Sequence, residues 1–167
     1  MAFGFEFQER VGGTFYFLSQ PTVDLVIRMT FKVSLNGVLR FAKDKLLDMN
    51  GEIYAEGFAD HRPVAGTIAF RVHDERRLPY DFSFVANDGK RYRVRGQKDF
   101  AAYRVMDSLT TLHASLLNEA EEEIGRATFK FDANAEWFSL LQSFRLRADF
   151  RAPGDHALPR LPRGGSV

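Results

Sequence analysis

The chain has 167 residues, a formal net charge of +1 and no cysteine. That length makes one ordinary domain, able to bury a core without staples, and the near-zero charge leaves no field that would make nucleic acid or an anionic membrane the main partner. With no cysteine, disulfides, thiolate catalysis and Cys-based zinc or iron–sulfur sites are excluded, which suits a reducing compartment.

Seventeen Phe and five Tyr against one Trp predict an aromatic core. Glu6, Glu9 and Arg10 interrupt the N-terminal stretch, so no secretory apolar segment forms there. No later run approaches the roughly 20 apolar residues that span a bilayer. The expectation is a soluble, cytoplasmic protein with no membrane span.

Phe3, Phe5 and Phe7 alternate with polar or small residues and predict a half-buried strand. Val11-Gly12-Gly13 reads as a turn or bulge before a second strand, Thr14–Leu18. After Pro21, Val23, Leu25, Ile27, Met29, Phe31 and Val33 fall on one face of a long antiparallel strand. The residues between them, Arg28 and Lys32 included, mark a wet outer face.

The period then changes. Ser34 is a fitting N-cap, and Leu35, Val38, Leu39, Ala42 and Leu46 recur at helical spacing. Asn50-Gly51 signals a turn, after which Glu52–Phe58 and Ala65–Val72 read as strands joined across Ala59–Pro63. Asp74-Glu75-Arg76-Arg77 is a charged turn.

Tyr80–Lys98 carries the clearest hairpin signal. Tyr80, Phe82 and Phe84 share one face of the first arm, and Tyr92 and Val94 share one face of the second, opposite Arg91, Arg93 and Arg95. Asn87-Asp88-Gly89 supplies the turn between them. An irregular connection, Asp99–Asp107, leads to a strand at Leu109–Leu117; Asn118–Glu123 is an acidic loop, and Ile124–Phe131 pairs back. Asp132 or Asn134 caps a second short helix with the stripe Trp137, Leu140, Leu141 and Phe144, and Ser143–Arg151 is a last strand. Three Pro and three Gly in the stretch 152–167 describe a tail, leaving 1–151 as the single domain.

The sum is about ten strands and two short helices, mainly β: an antiparallel barrel of lipocalin-like architecture, with a β-sandwich as the alternative. The order of signals also resembles a family. F-x-F-x-E-R-x-G from Phe5, P-V-x-G-T from Pro63, Y-x-F-x-F from Tyr80 and N-D-G-K-x-Y-x-x-x-G-x-K from Asn87 are followed by three more motifs. These are D-S-x-T-T-L from Asp107, I-G-R-A from Ile124 and F-x-L-L-x-S-F-R from Phe138. The pattern is similar to the small β-rich domain, of unassigned activity, found beside or fused to cholesterol-oxidase-like flavin oxidoreductases of the glucose–methanol–choline type in bacteria. That resemblance implies an accessory or lipid-handling role beside an oxidoreductase partner. The flavin-binding G-x-G-x-x-G fingerprint is missing, so no cofactor is expected in this chain.

Several side chains stand out as candidates. Tyr80, Phe82, Phe84 and Tyr92 would line the interior, and Lys98 shares their parity. An inward Lys sits near a barrel mouth, pairs with a carboxylate, or carries a lowered pKa and does chemistry. His113, beside Thr111 and Ser115, is conceivable as a general base or a polar ligand contact, and equally as a plain surface residue. Arg91, Arg93 and Arg95 could hold an anion, or simply form a solvated outer strand. Glu119, Glu121, Glu122 and Glu123 read as an exposed loop, and no metal-ligand spacing links the four His.

Three functions follow as expectations. The first is a non-catalytic barrel for a hydrophobic ligand of sterol or fatty-acyl type, or for an associated oxidoreductase. The second is a small barrel enzyme of the isomerase, cyclase or hydratase kind using Lys98, His113 or Asp107. The third is an oligomerising module docking through Trp137 and the tail. The aromatic inner face fits both a lined cavity and a solid core of packed rings.

Overall fold

Strand alternation is realised as a closed wall. The computed structural model describes residues 6–35, 43–69, 71, 77–99 and 110–131, apart from the side chains of Phe7, Arg77, Gln97, Lys98 and Asp99. Eight strands are present among them: β1 (Glu6–Phe17), β2 (Leu25–Ser34), β3 (Leu46–Ala55), β4 (Ala59–Ala69), β5 (Arg77–Val85), β6 (Arg91–Asp99), β7 (Thr111–Leu117) and β8 (Glu123–Lys130). Each pairs antiparallel with its neighbour in sequence, and β1 pairs with β8 from Gly12↔Lys130 to Phe17↔Gly125, closing the barrel. Closure leaves no sheet edge to protect. The architecture is therefore the barrel and not the sandwich.

The strand count differs from the expected ten for two reasons. The first two expected strands are one, because β1 runs straight through Val11-Gly12-Gly13. The last, Ser143–Arg151, lies outside the described residues, as do the Trp137 helix and the tail. Of the helix expected after Ser34, residues 36–42 lie outside the description; Lys43 and Asp44 are helical, and Leu46 belongs to β3 instead. Asn50-Gly51 is no turn either: Asn50 faces Lys32 and Ala65 from the middle of β3. Ala59–Pro63, read as a connection, is the first half of β4.

Inward glycines account for these misread turns. A Cβ on Gly13 would stand 1.8 Å from the Thr128 carbonyl oxygen, and one on Gly51 2.1 Å from that of Thr30. The wall coils so sharply there that neighbouring backbones fill the space of a side chain. Glycine in a strand looks like punctuation in sequence, yet here it is what lets the sheet close.

The predicted inner parity holds in β2, β5 and β6. Ile27, Met29, Phe31 and Val33 are buried, as are Tyr80, Phe82, Phe84, Tyr92 and Val94. Val23, before β2, is instead 44% exposed.

The end of the barrel bearing the β1–β2, β3–β4, β5–β6 and β7–β8 turns is filled by rings. Phe58, in the turn after β3, lies 5.2 Å from Phe17, 5.9 Å from Phe84 and 4.6 Å from Tyr92 between ring centroids, all edge-to-face. Phe15 meets Phe17 edge-on at 5.5 Å. Such geometry sets the positive ring edge against a negative ring face. Asn87 straps two turns over this plug: its N–H donates to the Phe58 carbonyl (3.0 Å), while its Oδ1 accepts from Asp60 N–H (3.0 Å) and Arg62 Nε (3.2 Å).

Towards the opposite end aliphatic side chains join further rings, Phe31 and Tyr80 each meeting Phe131, at 6.5 and 6.0 Å. Val33, Leu47, Met49, Ile68, Leu78 and Leu112 are all at most 1% exposed.

Candidate functional site

The interior candidates come together. Tyr80, Phe82 and Phe84 descend one strand of the inner wall at every second residue, and Phe84 lies opposite Tyr92 across the β5–β6 ladder. Their rings are already in contact with others: Phe84 stacks on Tyr92 at 6.2 Å, Phe82 meets Phe129 at 6.4 Å, and Tyr80 meets Phe131 at 6.0 Å. Phe84 and Tyr92 belong to the plug, whereas Tyr80 lies in the opposite half with Phe131.

Tyr92 has one polar attachment. Its O–H donates to Asp88 Oδ2 at 2.6 Å, and Asp88 Oδ1 accepts the Lys90 N–H at 2.9 Å. The shared proton favours a charged carboxylate and a neutral phenol. Asp88 is accordingly held below the usual carboxylate value, first by the Tyr92 bond and then by the Lys90 N–H. The Tyr92 phenol is pushed up to about 12, chiefly by the bond to Asp88 and then by burial.

One other candidate, His113, does not join this interior. His113 is exposed on the outer face, with Nδ1 at 3.2 Å from Thr128 Oγ1, whereas its chain neighbours Leu112 and Ala114 face inward. A contact between His113 and an interior ligand is therefore ruled out by strand parity. Lys98 is described in its backbone only, paired with Leu78 in the β5–β6 register. Asp107 lies outside the described residues.

Two of the three arginines in the stripe, Arg93 and Arg95, are paired with carboxylates. Arg93 donates from Nε and Nη2 to the two oxygens of Asp81 at 2.6 and 2.5 Å, and from Nη1 to Glu121 at 2.7 Å. Arg95 lies 3.7 Å from Asp81 and 3.6 Å from Glu121. Arg91 donates its backbone N–H to Glu119 at 3.1 Å and its Nη1 to Ser83 Oγ at 3.4 Å. The Asp81 fork is the first cause of a guanidinium held above its ordinary value at Arg93.

The acidic loop, read as freely exposed, thus delivers these partners. Asn118 Oδ1 accepts the N–H groups of Ala120 (3.0 Å) and Glu122 (2.9 Å), folding the loop back on itself. Glu121 adopts φ 60° at the tip, a left-handed conformation uncommon outside glycine. Arg93 and Arg95 are neutralised this way, whereas the Arg91 guanidinium reaches only Ser83 among the described residues.

Residues that sequence reasoning missed include Glu9 and Phe58. Glu9 is the one charged side chain buried among the described residues, 7% exposed, on the inner face opposite Phe31. Its inward parity follows from β1 being unbroken, so Glu9 shares a face with Val11, Gly13 and Phe15. Among the described residues no group of three His, Cys, Asp or Glu is placed to hold a metal ion. No helix among them is long and apolar enough to cross a membrane.

Set against known proteins, the chain matches no family model, no curated protein and no solved structure.

Proposed function

We propose that the chain is a non-catalytic binding barrel for a hydrophobic small molecule of the sterol or fatty-acyl class. The observation that carries this reading is the apolar inner wall of a closed barrel, with one charged side chain, Glu9, buried in it among the described residues. Aliphatic side chains and the rings of Phe31, Tyr80 and Phe131 make this wall, with Glu9 on the same inner face. Closed eight-stranded barrels are just wide enough to be filled by side chains or to hold one small ligand. The polar group sharpens the class. A buried carboxyl accepts a hydrogen bond from a sterol hydroxyl but repels the carboxylate of a fatty acid.

The resemblance to domains beside cholesterol-oxidase-like enzymes supports the same direction, with a flavin oxidoreductase as the partner that would receive or supply the ligand. The cysteine-free composition suits the cytoplasm. His113 on the outer face argues against a barrel enzyme built on that residue.

The experiment is direct binding of cholesterol and palmitate to the purified chain, with native mass spectrometry of protein isolated from its own cell. Saturable one-to-one cholesterol binding, lost in Met49→Trp and retained in Phe58→Leu, is the expected result. Glu9→Gln should shift preference towards palmitate. Absence of any co-purified apolar molecule together with no saturable binding of either probe would overturn the proposal.

A further inference from the structure

The outer face of β1, β2 and β3 carries a different arrangement, distinct from the barrel interior. The register sets two rows side by side: Arg10↔Thr30↔Glu52, and Gly12↔Arg28↔Tyr54. Arg10 and Arg28 are therefore diagonal neighbours on one face, with Cβ atoms about 7 Å apart. Gly12 lies beside both. A Cβ there would meet nothing nearer than the Ile27 carbonyl oxygen at 4.0 Å. The missing side chain leaves a notch beside Arg10 and Arg28, and all three residues line an open groove of about 670 Å³.

Neither Arg10 nor Arg28 makes an ion pair or side-chain hydrogen bond among the described residues, and both are exposed. Two carboxylates line the groove as well, each with one oxygen engaged. Glu52 Oε1 is held by His61 Nδ1 at 2.7 Å, and Glu56 Oε2 accepts the Val26 N–H at 2.8 Å.

The far wall is irregular where a plain ladder would have sufficed. The β3–β4 register shifts between Ile53 and Ala55, putting Tyr54 at a bulge, and His61 across from it adopts φ 47°. Bulges re-aim side chains and concentrate beside functional sites, and a left-handed non-glycine residue is strained. The result is a pair of rings, Tyr54 and His61, with centroids 5.5 Å apart and planes inclined by 37°.

From these observations we infer that Arg10, Arg28 and Thr30 form a binding site for a planar organic oxyanion. Its carboxylate or phosphate lies between the two guanidinium groups over Gly12, and its ring lies against Tyr54. Two arginines converging on one oxyanion give charge-assisted hydrogen bonds, and an aromatic wall adds stacking.

The test is titration of the full chain at low ionic strength with phenyl phosphate and, separately, inorganic phosphate, followed by calorimetry and by NMR of the arginine side chains. Phenyl phosphate should bind several-fold more tightly than phosphate. Arg10→Gln and Arg28→Gln should each weaken both probes by about tenfold, the loss of one charged hydrogen bond. Gly12→Leu should fill the notch and abolish binding with the fold intact by circular dichroism. Tyr54→Leu should bring phenyl phosphate down to the affinity of phosphate. Equal affinity for the two probes, binding that survives the double Arg10→Gln/Arg28→Gln substitution, or no saturation below about 10 mM (a ligand weaker than any useful site,) would overturn the inference.

Discussion

Two strips of the same outer surface carry arginines, and they are chemically opposite. On β5–β6 the cations alternate along one strand, and Asp81 and Glu121 hydrogen-bond Arg93 and form ion pairs with Arg95 at 3.7 and 3.6 Å. On β1–β2 only two arginines face outward together, yet no carboxylate reaches them among the described residues. Density of charge along a sequence is therefore a poor guide to its availability. What decides is whether a neighbouring strand or turn delivers the opposite charge, and that is a property of the register.

The sharpest way to break the comparison lies under the β1–β2 strip, in two adjacent glycines. Gly13→Ala would drive a Cβ to 1.8 Å from the Thr128 carbonyl oxygen, a backbone atom that cannot rotate away. A loss of about 3 kcal/mol or more, at the upper end of overpacking costs, is expected in a urea melt. Gly12→Ala points into open space, so its effect should stay within about 0.5 kcal/mol. Equal losses at both positions would mean that Gly12 is structural and no notch exists.

The second test tries to turn one strip into the other. Asp81→Asn with Glu121→Gln strips Arg93 and Arg95 of their partners while leaving the backbone unchanged. Because the Asp81–Arg93 fork is about one-third exposed on each side (36%/36%), its coupling energy in a double-mutant cycle should be on the order of 1 kcal/mol. The released guanidinium groups should then bind inorganic phosphate more tightly than the wild-type stripe does. A double variant that gains no anion binding would show that partner carboxylates are not what distinguishes the two strips.

What was legible in the sequence follows the same division between local and distant causes. Inward and outward faces of β2, β5 and β6 were readable because period-two alternation is written into consecutive residues. The Asn87-Asp88-Gly89 turn was readable too, and Gly89 takes φ 78° as such a turn demands. Barrel closure was not, since β1 meets β8 across more than a hundred residues of chain. Glycines at coiled points of the wall were mistaken for turns because propensity cannot tell a bend between strands from a close approach within one. The neutralisation of Arg93 by Glu121, the burial of Glu9 and the proximity of Arg10 to Arg28 all depend on that long-range register. Only the pairing makes them visible.

The smallest effect sits at the tip of the β5–β6 strip, where Tyr92 and Asp88 share a proton. Asp88 is held below its ordinary value of 3.8 in the folded chain. Its share of stability is therefore full at neutral pH and is lost as pH falls from about 4 through the lowered value, because the unfolded chain binds the proton first. Tyr92 works in the other direction. With its phenol raised from 10.0 to about 12, the folded chain keeps a proton that the unfolded chain releases, so this share is full below pH 10 and disappears as pH approaches 12. Tyr92→Phe removes both contributions at once while keeping the ring against Phe58 and Phe84. The variant should melt a few degrees below wild type at pH 7, as expected for the loss of one charge-assisted hydrogen bond. The gap should narrow below about pH 4 and again above pH 10, from the ordinary values of the two groups. A gap that stayed constant from acid to alkali would locate the loss in ring packing and not in the Asp88 bond, and the β5–β6 tip would then be held by its rings alone.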